Sequence, residues 1–387
     1  MEAPLPDDVL LEILVCLNDA HAALFRCATA CKRWHGLIAD PSFLHRCWPP
    51  GSPSSSSIQG FFHRGMSRSS STCFVPAPRS ALGGGCRALS SFVPSAPAGL
   101  LDGTMLASRH GLLLLTGCSN TAQLTVCNTI TGTFDLLPPL EWDCIQCIGH
   151  AILTGVDCRR PLPYYKVLVV DTQLNVYMFS SDEASWSRMS TEGSSAGMDM
   201  ISPYVSDAIV RCGTAHWLYR NFAASCFCTM NVNLETGHVS TMKLAKIAQS
   251  HDRPCGQPWL SLAADGNRTL SVLWMQIEHF QVEIWKRQDN INSMDEEDGD
   301  KETSKWHRSR VIELKKPYVD IKRMFILGEK CGTLLVKDDR KHVYFAHLET
   351  GIMEEVMDYG ERNLAEGDVM AFEMDWATFF VSRLGGR

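Results

Sequence analysis

No stretch of this chain approaches the ~18 consecutive apolar residues that span a membrane, so a membrane-embedded class is not expected. A basic excess is missing as well: 36 Lys and Arg stand against 43 Asp and Glu, for a formal charge of -7. Nucleic-acid phosphates are held by clustered cations, and this composition offers no such footprint. The charge is uneven, because the run "DEEDGDKE" (295–302) alone contributes -5. That run reads as an exposed loop between strands, with an electrostatic lure for a basic partner as the alternative. The opening residues lack the basic start and unbroken apolar core of a secretory signal, since Asp7, Asp8, Glu12 and Asp19 interrupt the leucines. The sixteen cysteines are therefore expected as thiols in a reducing compartment, the cytoplasm or nucleus.

Motifs that carry chemistry are equally scarce. Cys144-Ile145-Gln146-Cys147 is the one C-x-x-C, with His150 three residues on, and no second pair follows at finger spacing. The expectation is buried apolar cysteines and no metal. "GGG" (83–85) lacks the Gly-Lys-Ser/Thr ending of a phosphate loop, and neither H-E-x-x-H nor an EF-hand loop occurs. "GSSAG" (193–197) fits the letters of a nucleophile elbow but lies in a polar stretch with no helix behind it. His216-Trp217 sits in an apolar strand and reads as a hydrogen-bonded core histidine. No cofactor and no catalytic residue are expected.

What is present falls into two textures. Residues 5–47 read as three helices. Val9, Leu10, Ile13, Leu14 and Leu17 recur at helical spacing, Pro6-Asp7 suits a helix start, and Cys31, Trp34, Leu37 and Ile38 share a later face that Asp40-Pro41 stops. "PPGSPSSSS" (49–57) reads as a flexible linker. Residues 58–99 read as loosely ordered strands and loops. Beyond residue 100 come short strand candidates: "GLLLL" (111–115), "QLTVCN" (123–128), "YKVLVV" (165–170), "NVYMF" (175–179), "AHWLY" (215–219), "LSVLW" (270–274), "VEIWK" (282–286), "GTLLV" (332–336) and "HVYFAHL" (342–348). They are too close together for crossover helices, so antiparallel sheets are expected.

A repeat underlies them. "TITGT" (129–133), "LETGH" (234–238) and "LETGI" (348–352) each follow a strand with a Thr-Gly turn, and "SSDEASW" (180–186) and "VEIWKRQ" (282–288) stand halfway between. The unit is thus about 50 residues, the period of kelch-like propeller blades, and about six units fit in 58–387. A pair of sandwiches is the alternative.

The order Leu5-Pro6, Ile13-Leu14, Leu17, Leu24, Cys31-Lys32-Arg33-Trp34, Leu37-Ile38 and Asp40-Pro41-Ser42-Phe43 resembles the F-box. Ala30 departs from it, since the family more often has Val there. "CNTITGTFDLLPP", "GTAHWLY", "EIWKR" and "LGEKCGTLLV" are similar to the F-box-associated β domains of large plant F-box families. The repeated Gly-Gly doublets of true kelch repeats are missing. The resemblance implies an F-box over 1–48, a linker over 49–57 and a propeller-like domain over 58–387. It also implies a Skp-type adaptor as partner and, through it, cullin and ring subunits of a ubiquitin ligase. Leu5, Pro6, Ile13, Leu14, Leu17, Cys31, Trp34 and Leu37 are then expected at the adaptor interface or its immediate support. A target protein, whose identity no motif encodes, would bind the β domain. Two competitors are a non-cullin interaction scaffold and a propeller-type hydrolase.

Overall fold

The computed structural model describes residues 5–18, 20–49, 56–64, 71–78, 80–117, 123–140, 147–158, 164–172, 174–189, 201–203, 208–221, 226–244, 256–262, 270–287, 306–315, 321–356 and 369–384. The acidic run 295–302 and "GSSAG" (193–197) lie outside them.

Four helices, not three, open the described chain: α1 (Asp7–Val15), α2 (His21–Ala30), α3 (Lys32–Ile38) and α4 (Pro41–Cys47). Pro6 precedes α1, and Asp7 and Asp8 place negative charge against its unpaired N–H groups. Cys31 is extended (φ -157°), which ends α2, and its Sγ accepts the Trp34 N–H at 3.5 Å to cap α3. Asp40-Pro41 ends α3 as expected and at the same point starts α4. Proline needs no N–H donor in a first turn, and the Asp40 carboxylate accepts the Ser42 N–H at 2.7 Å.

Six antiparallel sheets follow. Blades 2 to 6 occupy 104–136, 147–189, 201–243, 256–313 and 324–355. Blade 1 is assembled from both ends of the β region. Its inner strand is Val369–Asp375, hydrogen-bonded to Ser56–His63, with Cys73–Pro76 and Arg87–Ala88 outside. Pairing the last strand with the first closes the ring and leaves neither as a free edge. Inner strands touch one another around the circle, Val369–Asp375 lying between Thr104–Arg109 of blade 2 and Met324–Lys330 of blade 6. Blade 4 has a divided inner position, with Ile201–Pro203 and Ile209–Arg211 both pairing with Thr214–Asn221. The six-bladed, all-β reading of the sequence is thus what the chain adopts.

The three Thr-Gly turns join the third to the fourth strand of blades 2, 4 and 6. Asn128 and Asn233 each accept two following N–H groups, a side-chain imitation of a turn. Gly351 closes the last of the three at φ +69°, and a Cβ there would stand 2.2 Å from the Glu313 carbonyl of blade 5. Gly351→Ala is therefore expected to cost at least ~1 kcal/mol, through positive φ and the displaced neighbour, and to lower the melting temperature measurably. An unchanged melt would contradict this packing.

A helix follows the last strand, Trp376–Leu384, which the all-β reading of 58–387 did not include. Asp375 accepts the Thr378 N–H at 3.0 Å, and Trp376, Phe380 and Leu384 form a buried i, i+4, i+8 stripe. That stripe joins one apolar cluster containing Leu14, Leu24, Ile38, Phe43 and Trp48 of the N-terminal helices and Phe62, Phe74 and Met374 of blade 1. The helical unit and the ring therefore share a core.

Candidate functional site

The N-terminal unit has two apolar faces with different fates. Its α2/α4 side is covered from within the chain. His21 stacks on Trp376 with ring centroids 3.9 Å apart and lies 5.7 Å from Trp48. Trp48 stacks on Phe380 at 5.2 Å, and Phe25 packs against Phe379 and Phe380 at 5.6 and 6.0 Å.

The opposite side is open. Leu5, Val9 and Ile13, four residues apart, run down one stripe and are 52%, 40% and 49% exposed. Pro6, next to Leu5 in sequence, and Cys31, between α2 and α3, are also exposed, while Leu17, Trp34 and Leu37 are half-buried. Ion pairs hold the stripe in place. Arg33 of α3 meets Asp7 at 2.6 Å and also donates to the Leu5 carbonyl, which brings the Trp34 turn beside the start of α1. Arg46 of α4 clasps Glu12 at 2.6 Å. Leu14 stands apart from the other expected interface residues. At 2% exposure it points into the shared core with Leu24 and Ile38, so it supports the surface and does not form it. Val9, which the sequence reading left out of the interface, belongs to the exposed stripe. Its spacing from Leu5 and Ile13 was the available signal.

A second concentration of functional groups lies where inner strands of blades 1, 2 and 6 end. Arg109 binds Asp157 of blade 3 through two hydrogen bonds of 2.6 and 2.8 Å. Burial works against the Asp157 charge, but Arg109 outweighs it and holds the carboxyl far below its usual range. His110 Nδ1 lies 2.9 Å from Thr154 Oγ1, and burial pushes its pKa down. The Cys331 thiol donates to Glu373 at 3.1 Å, and Lys330 of blade 6 donates to the Ser108 carbonyl of blade 2 at 2.8 Å. Burial opposes the Glu373 charge as well, yet Lys330, His110 and Arg109 hold it down at about 2. Glu329 goes the other way: burial pushes it up to about 7, even though its Oε1 accepts the Gly332 N–H at 2.9 Å. These groups answer one another across blades and tie the inner strands together. A cavity of about 250 Å³ opens beside them, lined by His110, Ile130, Thr154, Tyr164, Asp375 and Val381.

Glu329 carries a pH prediction. Its folded pKa lies above its ordinary 4.5, so the unfolded chain releases the proton first and stability falls as pH rises from about 4.5 to 7. Glu329→Gln keeps an acceptor for Gly332 and removes the charge. Relative to wild type it should gain stability at pH 8, up to ~3 kcal/mol, and gain nothing at pH 4.5. Parallel denaturation curves at the two pH values check this, and a pH-independent difference would refute it.

The remaining cysteine and histidine readings fall as follows. Cys147 is half-buried, and burial pushes its thiol up to about 11; its partner Cys144 lies outside the described residues. His150 is pushed down to about 4 by burial and accepts the Trp217 indole N–H through its backbone carbonyl at 3.1 Å. His216 bonds Asn231 at 2.7 Å, hydrogen-bonded as expected, but it is half-buried and not a core residue. Among the described residues no helix is long and apolar enough to cross a membrane.

Residues 3–47 match the F-box-like domain family. No curated protein matches the chain. Solved structures similar in fold include a DUF4784 family protein from Bacteroides caccae (11% identity, 82% of this chain and 74% of that one, TM-score 0.44). A protein from Lactobacillus plantarum is similar at 10% identity over 78% and 81% of the two chains, with a TM-score of 0.42. An oligogalacturonate lyase from Vibrio parahaemolyticus is similar at 8% identity over 81% and 89%, with a TM-score of 0.38. The chain thus carries an F-box-like domain at residues 3–47 and, after it, a six-bladed β-propeller.

Proposed function

We propose that this protein is the substrate receptor of a Skp–cullin–F-box ubiquitin ligase, non-catalytic itself and of the kind found among plant F-box proteins with an F-box-associated β domain. Residues 1–48 would dock a Skp-type adaptor, 49–57 would link, and 58–387 would present the target. The observation that carries the reading is the exposed stripe Leu5, Val9 and Ile13 on a helical unit whose other apolar face is already covered. F-box-like domains generally bind Skp-type adaptors, and covering side chains of this size yields ~1.5–3 kcal/mol each. Pro6, Leu17, Cys31, Trp34 and Leu37 would complete the contact, with Leu14 behind it. Ubiquitin transfer would follow from proximity, as tethering replaces a bimolecular encounter with a nearly intramolecular one. The complex would work in the cytoplasm or nucleus.

The test is reconstitution. The purified chain with adaptor, cullin and ring subunit should support ubiquitin-chain formation on a protein captured through the propeller. Adaptor binding without chain formation on any captured protein would identify a non-cullin scaffold instead.

A further inference from the structure

We propose that blade 1 holds a zinc ion on His63, Cys73 and Cys86. No metal is expected from the sequence, where the one C-x-x-C lacks a second pair, and these three residues, ten and thirteen positions apart, form no local motif. Strand pairing brings them together. His63 ends the strand Ser56–His63 and lies directly opposite Cys73, which begins Cys73–Pro76. Cys73 in turn lies opposite Ala88 on the outer strand. Cys86 immediately precedes that outer strand, Arg87–Ala88. The ring nitrogen and two sulfurs accordingly lie within 4.8 Å of one another.

The donor set selects the metal. Two thiolates and an imidazole suit zinc, whereas calcium and magnesium demand oxygen. Zn–S and Zn–N bonds of ~2.3 and ~2.0 Å set tetrahedral ligands roughly 3.5 Å apart, so donor atoms within 4.8 Å of one another need to close by about 1.3 Å at most. The chain is built to allow that movement on one side. His63 is buried and fixed in a strand, but Cys86 is exposed and follows Gly83, Gly84 and Gly85. Two of these glycines have positive φ, +92° and +88°, and all three have open space where a Cβ would stand. Binding releases one proton from each thiol to solvent and leaves the fourth coordination position, on the exposed Cys86 side, for water. The ion would fasten the outer strand Arg87–Ala88, only two residues long, to the strand that closes the ring.

The full-length protein, reduced and incubated with Zn²⁺ and then desalted, should retain about one zinc per chain by elemental analysis. Co²⁺ in its place should give the visible d–d bands of a tetrahedral site and a thiolate charge-transfer band. Cys86→Ser and Cys73→Ser should each abolish the stoichiometric metal, with circular dichroism confirming that the variants fold. If a variant does not fold, alkylation of the wild-type protein decides: Zn²⁺ should protect Cys73 and Cys86 and leave exposed Cys16 and Cys212 reactive. No retained zinc with a featureless cobalt spectrum overturns the proposal. So does stoichiometric zinc in both serine variants, or a Cys73–Cys86 disulfide that accounts for the protection.

Discussion

A Leu5→Asp, Ile13→Asp double variant is expected to fold like the wild type and, if α1 docks a Skp-type adaptor as proposed, to lose affinity for it by at least roughly 100-fold. Both positions are about half exposed, so the new carboxylates stay in water in the free protein and stability should change little. In the complex they would have to be buried beside apolar partner groups without a matching charge. Each substitution also forfeits the ~1.5–3 kcal/mol from covering its aliphatic side chain, and 1.4 kcal/mol is already a factor of ten. Leu14→Ala is a poor probe of the same contact. Leu14 is buried, and truncating it opens a cavity worth 2–5 kcal/mol in the shared core, so lost binding would be confounded with lost folding. Quantitative pull-down or calorimetric titration with purified adaptor, alongside a melting curve, checks the prediction. Unchanged affinity would remove α1 from the interface.

The second large effect is expected at the joint between the helical unit and the ring. Phe380 is fully buried between Trp48, Phe25 and Phe379. Phe380→Ala should cost ~3–5 kcal/mol, the range for a large aromatic removed from a packed site. The loss should be selective. Because the shared core is what couples the two units, scanning calorimetry should split a common transition into an earlier one for the helices and a later one for the propeller. The exposed stripe on α1 is on the other face, so adaptor affinity at temperatures below the first transition should persist. A single transition at the wild-type temperature would mean that Trp376–Leu384 does not clamp the helices.

The contrast between these variants reflects how the chain divides its apolar residues, and that division was only half legible in the sequence. Helical periodicity marked residues 5–47, but periodicity does not say which neighbour covers which face. On α1 the buried Leu10 and Leu14 and the exposed Leu5, Val9 and Ile13 look alike in sequence, and nothing local to residues 21–48 announces that Trp376–Leu384 will cover the α2/α4 side. Among the strands, those read in advance, such as 112–116, 165–171, 270–276 and 333–338, are the middle strands of blades. Buried on both faces, they are written as nearly continuous apolar runs. The outer strands Thr133–Leu136 and Ser185–Met189 are largely exposed and leave almost no pattern. Blade 1 escaped notice for a different reason, since its strands come from opposite ends of the β region and no local window contains them. His63, Cys73 and Cys86 were invisible on the same ground: their proximity exists only across paired strands. The Thr-Gly repeat, by contrast, was readable because each copy answers a local demand for positive φ at Gly132, Gly237 and Gly351.

The central claim is that the open face of the N-terminal helices is completed by a foreign adaptor while the covered face is completed by the chain itself. Amide hydrogen exchange on the full-length protein, with and without purified Skp-type adaptor, addresses both halves at once. The account predicts slowed exchange on binding over residues 5–17 and 31–37, with residues 376–384 protected equally in both states. Protection that spares 5–17, or that appears only across the propeller, would contradict it.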